Sequence, residues 1–334
     1  MGKFIYLLLG CLFLSCCGQK NATKGAESLG ESANRASDGR SKEAPVFNAD
    51  SAYSYIAGQV AFGPRVPNSE AHKTCAAYLA SELERHGFRV FIQEATLTAY
   101  NGDQLDARNI IGVFDPDKSR RILLFAHWDT RPYADHDANE ANRRKPIDGA
   151  DDGGSGVGVL LEIARQIGKK APEAGIDIIF FDAEDYGTPE FIDEYKPDTW
   201  CLGSQFWAKN PHIPNYKAEY GILFDMVGAK GATFYKEQTS VRYAGQYVEK
   251  VWAAARNLGY GKYFINATGR AFIDDHQYVI EGRRIPCFDI INCDPESISG
   301  FGYYWHTLND TMDNIDRETL KAVGQTALEV IYND

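Results

Sequence analysis

Long hydrophobic runs are missing from this 334-residue chain. The apolar stretch at residues 4–14 falls well short of the roughly 20 residues that a membrane-spanning helix needs. Positive charge is scarce as well. Lys and Arg number 35 against 46 Asp and Glu, a net charge of −11; the first 44 residues carry a surplus of two positive charges, which leaves −13 on the rest. An acidic body argues against nucleic acid and against an anionic membrane surface as partners. It suits a neutral or cationic substrate, such as a peptide with a free α-amine. Past residue 17 four cysteines remain, Cys75, Cys201, Cys287 and Cys293, and none are spaced as CxxC or any other metal-binding pair. Cys75 and Cys287 sit in apolar patterns, so buried free thiols are expected rather than disulfides. There is no internal repeat and no second linker. With 44% hydrophobic and 13% aromatic residues, the chain can bury one large core.

The N-terminus reads as a processing segment. Met1-Gly2-Lys3 supplies a basic start and residues 4–14 an apolar stretch. Phe13-Leu14-Ser15-Cys16-Cys17-Gly18 resembles a bacterial lipobox, whose cysteine is lipidated and becomes the first mature residue. Cys16 follows a small residue, whereas Cys17 has Leu14 three positions upstream, so both stay open as the lipidation site. Residues 19–44 contain almost no large apolar side chain and cannot pay for ordering. The expected organisation is a lipoprotein-type signal peptide over 1–17, a flexible linker over 18–44 and one domain over 45–334. The protein would be exported and anchored by lipid to a membrane on the periplasmic side.

Within the domain, helical and extended patterns alternate. Residues 69–86 place Cys75, Leu79 and Leu83 four apart and stop at Gly87, a helix followed by its usual terminator. Strands are expected at 88–97, 109–114, 121–126, 176–182, 221–226 and 285–291, and further helices at 156–167, 241–258, 275–281 and 316–332. The run at 176–182 reads as apolar throughout, which implies burial on both faces. The fold class is therefore α/β: a single domain whose mostly parallel, mixed, twisted central sheet carries helices on both faces.

Five islands carry the chemistry: His127 in FAHWD, Asp152 in GADDGGSG, Glu184-Asp185 in FFDAED, Asp225 in LFDMVG and His306 in YWHT. The first four follow or close apolar runs that read as strands, and strand exits are where an open α/β sheet gathers its functional groups. Each alone has a plainer reading. HxD is commonly a histidine bonded to a carboxylate, Asp before a helix is a common cap, and a lone loop histidine is usually structural. Adjacent Glu184 and Asp185 are different, because two neighbouring carboxylates at a buried strand end repel and are costly to hide. A metal that takes one and leaves the other as a base removes that cost. Two imidazoles and several carboxylates in this order fit a borderline-soft ion such as zinc. Asp129 then orients an imidazole, and Asp182 supports the backbone.

These islands resemble the zinc aminopeptidase clan with the M28-like fold, and within it the glutaminyl-peptide cyclotransferases, from about Val46 to the C-terminus. Trp305 in WHT, Ile273-Asp274-Asp275-His276 and the stretch IDDHQYVIEGRRIP carry the narrower resemblance. It implies one zinc per chain held by Asp152, Asp185 and His306, with Glu184 as general acid/base. Asp225 and Asp274 would form a carboxylate network beside it, and Trp305 and Trp200 would line the substrate pocket. His127 and Asp129 would be supporting residues or the remains of a second metal site. The implied substrates are peptides or proteins with N-terminal Gln, and the implied state is a monomer. Three features depart from animal cyclases: Asp185 stands where they have Glu, Asp289 replaces a pocket histidine, and Ala126 and Val157 occupy the positions of their cysteine pair. Two other readings remain, a two-zinc aminopeptidase using His127, Asp152, Asp185, Asp225 and His306, and a non-catalytic zinc-binding lipoprotein.

Overall fold

The computed structural model describes residues 43–194 and 196–334. The signal peptide, both candidate lipidation cysteines and nearly all of the linker lie outside the described residues. Two helices come first, α1 (Ala49–Val60) and α2 (Glu70–Arg85). Each begins at a side chain that accepts a backbone N–H: Asn48 from Ser51, and Ser69 from His72. Next come strands β1 (Arg89–Thr98), β2 (Gln104–Phe114) and β3 (Arg121–His127), helix α3 (Gly154–Lys169) and strand β4 (Gly175–Phe181). The second half contains α4 (Leu202–Lys209), β5 (Tyr220–Asp225), β6 (Phe234–Lys236), α5 (Gln238–Asn257) and β7 (Phe264–Thr268). It closes with α6 (Asp275–Arg283), β8 (Cys287–Ile291) and α7 (Arg317–Asn333).

Six strands form one sheet in the order β1-β2-β4-β3-β5-β8. β4, β3, β5 and β8 run parallel, while the β1–β2 pair is antiparallel and β2 is antiparallel to β4. This is the mixed, mostly parallel α/β sheet expected from the alternation of elements. Side chains of successive residues leave by opposite faces. Leu124, Ala126, Ile178 and Phe180 enter a large core with residues of α1, α3, α5 and α7. Leu123, Phe125, Ile179 and Phe181 enter a second core with Trp207 of α4 and Val279 of α6. Each large side chain so buried contributes about 1.5–3 kcal/mol.

Four local differences from the sequence expectation have clear causes. β2 begins at Gln104 rather than 109, because it pairs with all of β1 and that outer part is half-exposed and not apolar. β4 is not apolar throughout. Asp177 is fully buried, gripped by Arg121 through Nε (2.7 Å) and Nη2 (2.6 Å) and by the Tyr216 hydroxyl (2.6 Å). β8 starts at Cys287, after Pro286, which has no N–H to donate. Helices α1 and α4 and the two-stranded parallel pair β6–β7 were not expected from the sequence, although α1 buries Ala52, Tyr55, Ile56 and Gln59 at helical spacing.

The parallel strands end level, with His127 opposite Phe181 and Asp225 opposite Ile291. Whatever follows them reaches the same edge of the sheet. Helix α3 comes close to that edge because Gly156 lacks a side chain; a Cβ there would lie 2.1 Å from the Phe224 carbonyl oxygen.

Candidate metal and catalytic site

His127 is the last residue of β3, Asp225 the last of β5, and Glu184 and Asp185 lie in the turn leaving β4. Asp152 precedes α3, and His306 sits in the loop before α7. Residues from five separate parts of the chain thus meet at the carboxyl ends of the strands, the usual place for ligands in such sheets. His306 Nε2 lies 3.4 Å from Asp152 Oδ2 and 3.2 Å from Asp185 Oδ1. Asp152 Oδ2 and both oxygens of Asp185 are buried without a hydrogen-bond partner. Buried carboxylate oxygens left in this way are costly, and these three groups offer donor atoms within 4.8 Å of one another. The set fits a divalent ion of intermediate softness: two carboxylates and one imidazole, with no thiol among them.

The supporting contacts explain why the donors stand still. Asp310 accepts the backbone N–H groups of Asp151 (2.9 Å) and Asp152 (3.1 Å). Asp129 accepts those of Glu184 (3.0 Å) and Asp185 (3.2 Å). Asp129 was expected to orient an imidazole. It approaches His127 Nδ1 only to 3.6 Å, and its hydrogen bonds go to the turn that carries the acid pair. Asp182 accepts from His72 Nε2 (2.8 Å) and from the backbone of Ala183 (2.7 Å), so it too supports that turn. Arg131, fully buried, donates to the Asp185 carbonyl (3.0 Å), pairs with Asp135, and lies 4.4 Å over the Trp200 ring. Asp135 Oδ1 in turn faces His306 Nδ1 at 3.7 Å. Sequence reading missed Arg131, Asp135, Cys201 and Asp310. Arg131 and Asp135 lie within eight positions of the His127 island, the one signal that pointed to them.

Backbone strain collects here. Ala183 (φ 52°), Cys201 (φ 57°), Met226 (φ 48°) and His306 (φ 53°) adopt the left-handed region that non-glycine residues rarely enter. Such residues persist where surrounding contacts over-determine them, often at functional sites.

A cavity of about 270 Å³ opens onto the donors. Asp152, Glu184, Asp185, Asp225 and Asp274 form its acidic side; Trp200, Phe272, Phe301 and Trp305 form an aromatic side. Trp305 stacks on His306 with ring centres 3.8 Å apart, and Trp200 lies parallel to that imidazole at 5.9 Å. The other expected residues fall beside the donors. His127 Nε2 is 3.0 Å from Asp152 Oδ1 and 3.2 Å from Asp225 Oδ1, so His127, Asp152 and Asp225 make a second cluster able to hold a metal. Asp289 lies behind Asp274 rather than on the cavity wall, within 4.8 Å of it.

Burial is the largest influence on the acids. It pushes Glu184 well above the usual carboxylate range; Asp185, Asp274 and Asp275 push the same way, while His127 opposes them. Burial likewise raises Asp225 to about 8, with Asp274 adding to the rise and His127 reducing it. Asp152 moves the other way. Burial raises it, but the neighbouring imidazoles of His127 and His306 outweigh that and hold it well below its ordinary value.

An α/β sheet with clustered carboxylates and histidines at its strand ends defines a class of metal-dependent hydrolase-like enzymes, and the chain belongs to Peptidase family M28, whose profile matches residues 109–331. It is similar to the crystal structure of Tannerella forsythia glutaminyl cyclase, at 78% identity and a TM-score of 0.86 over 87% of this chain and 100% of that one. A Zn-dependent exopeptidase from Parabacteroides distasonis is 72% identical, with a TM-score of 0.87 and the same two coverages, 87% and 100%. The bovine glutaminyl-peptide cyclotransferase is 26% identical over 241 residues, 64% of this chain and 62% of that protein. The chain therefore spans less than two thirds of the length of this curated relative.

Proposed function

We propose that this chain is a glutaminyl-peptide cyclotransferase, converting N-terminal Gln of peptides and proteins to pyroglutamate with release of ammonia. The observation that carries the reading is Glu184. It stands outside the Asp152–Asp185–His306 donor set yet lines the same cavity as those donors and the aromatic side chains. The 78% identity to a glutaminyl cyclase supports it. The cavity, about 270 Å³, is at the small end of ligand pockets and suits one side chain rather than a long peptide.

In the reaction the substrate's α-amine nitrogen bonds to its own γ-carbonyl carbon. The bond from that carbon to the amide nitrogen breaks, and ammonia leaves. Glu184 accepts a proton from the amine and returns it to the departing nitrogen, a role worth about 10²–10⁴-fold in rate. Asp152, Asp185 and His306 would hold one zinc, which when bound polarises the γ-carbonyl and stabilises charge on its oxygen. Trp200 and Trp305 hold the side chain folded over the amine, so that an already tethered nucleophile is also oriented. Asp225 and Asp274 line the cavity beside Glu184, where their oxygens can accept hydrogen bonds from a substrate's amine.

The test is to incubate purified protein with a Gln-initiated peptide and follow ammonia release and the corresponding loss of mass. A second reading, a two-metal aminopeptidase, is favoured by the His127–Asp152–Asp225 cluster and by the exopeptidase neighbour. Near two metals per chain with release of a free amino acid would establish that reading; near one metal with ammonia establishes the cyclase. We further propose that residues 1–17 are a lipoprotein signal, that Cys16 or Cys17 carries the lipid, and that the enzyme acts as a monomer on the periplasmic side of a membrane.

A further inference from the structure

We propose that Cys201 is a positioning residue for Glu184, holding the general acid/base in one orientation through its thiol and its backbone together. The inference rests on the cyclase reading of Glu184. Cys201 is fully buried, sits at the start of α4 and adopts a left-handed conformation (φ 57°). Its Sγ–H donates to Glu184 Oε1 at 3.0 Å. Its backbone N–H donates to the Glu184 carbonyl at 2.9 Å, and the next N–H, of Leu202, donates to the Ala183 carbonyl at 3.0 Å. Ala183 is itself left-handed (φ 52°), so two strained turns face each other and lock the acid between them. The thiol is the side-chain group that bonds the Glu184 carboxylate, while Asp129 holds the backbone N–H of the same residue. Burial first, then the carboxylates of Glu184, Asp275 and Asp274, push the thiol well above its ordinary range. It therefore stays S–H and serves Glu184 as a hydrogen-bond donor. A carboxylate so held loses little freedom when it takes up the substrate's proton, which is where a pre-set geometry speeds catalysis.

Three variants of the full-length, zinc-loaded protein test this: Cys201→Ala, Cys201→Ser and Glu184→Gln. Cys201→Ala deletes the donor and is expected to lower kcat about tenfold, with KM for a Gln-peptide and zinc content unchanged. Cys201→Ser keeps an O–H donor and is expected to recover most of kcat. Adding Cys201→Ala to Glu184→Gln should cost nothing further, because the group being positioned is already gone. Wild-type kcat in Cys201→Ala beside an inactive Glu184→Gln would overturn the positioning role and leave the cyclase reading intact. An active Glu184→Gln would instead overturn the reading itself. Equal losses in the Ala and Ser variants, accompanied by a fall in zinc content or melting temperature, would make the residue purely structural and also overturn the proposal.

Discussion

Glu184 and Asp185 are neighbours in the chain and do different work because their side chains diverge from a turn held by other acids. Asp185 points to His306 (3.2 Å) and joins the donor set, whereas Glu184 faces the cavity and the Cys201 thiol. Glu184→Gln keeps shape and packing but cannot move a proton. It is expected to retain zinc and lose about 10²–10⁴-fold in kcat, checked by metal analysis alongside steady-state kinetics. His306→Ala removes one of three donors. Zinc content is expected to fall well below one per chain, and activity with it. Zinc retained at wild-type level in that variant would exclude His306 as a ligand.

Among the elements, α3 and α5 show how packing and capping position the site. Gly156 lets α3 touch the end of β5, where Asp225 stands. Gly156→Ala would force apart backbone atoms that leave a Cβ only 2.1 Å from the Phe224 oxygen. A cost of about 1–3 kcal/mol is expected, read as a fall of several degrees in melting temperature. Glu237 caps α5 through the N–H groups of Thr239 (2.8 Å) and Ser240 (2.6 Å), and also meets His276 Nε2 (3.2 Å) and the Phe272 N–H (3.2 Å). It thereby ties the loop bearing Asp274 to the helix. Burial pushes Glu237 up, but its bonds with His276, Thr239 and Ser240 prevail and hold it down to about 2. A depressed carboxylate stabilises the fold above its unfolded value of about 4.3, and loses that contribution as pH falls towards 2. Glu237→Gln should therefore be less stable than wild type near neutrality, with a gap that closes between about pH 5 and pH 2 in urea titrations. A gap that stayed constant over that range would rule out the carboxylate charge as its source.

On the scale of the whole molecule, a metal held by the proposed donors would tie together segments far apart in sequence, from Asp152 to His306. Removing it with a chelator should abolish turnover and lower the melting temperature. A ligand at 1,000 times its dissociation constant contributes about 4 kcal/mol to the folded state. Among the described residues the sheet and both cores are complete without the proposed linker, and a protein beginning near Pro45 is expected to fold, remain monomeric in gel filtration, and turn over a soluble Gln-peptide at the full-length rate. No helix among the described residues is long and apolar enough to cross a membrane. In the proposed reading, a lipid at Cys16 or Cys17 supplies the membrane attachment. Mass spectrometry of the mature N-terminus checks it, since an unmodified residue there would remove the anchor.

The sequence by itself determined the fold class, the parallel strands and the family, because each of those rests on local pattern. Apolar runs mark strands buried on both faces, Gly87 terminates α2, and the islands around His127, Asp152, Glu184-Asp185, Asp225 and His306 occur in a readable order. The resemblance already implied Asp152, Asp185 and His306 as one donor set; the tertiary structure adds how three separate loops, before α3, after β4 and before α7, bring their donor atoms within 4.8 Å of one another. It also revealed Cys201, Arg131, Asp135 and Asp310, whose contacts with the site run through space and carry no periodicity. Asp177 shows the same limit from the other side. A lone acid inside an apolar strand has no sequence rationale until Arg121 and Tyr216 are seen to close around it, because the partners that make its burial tolerable come from elsewhere in the chain.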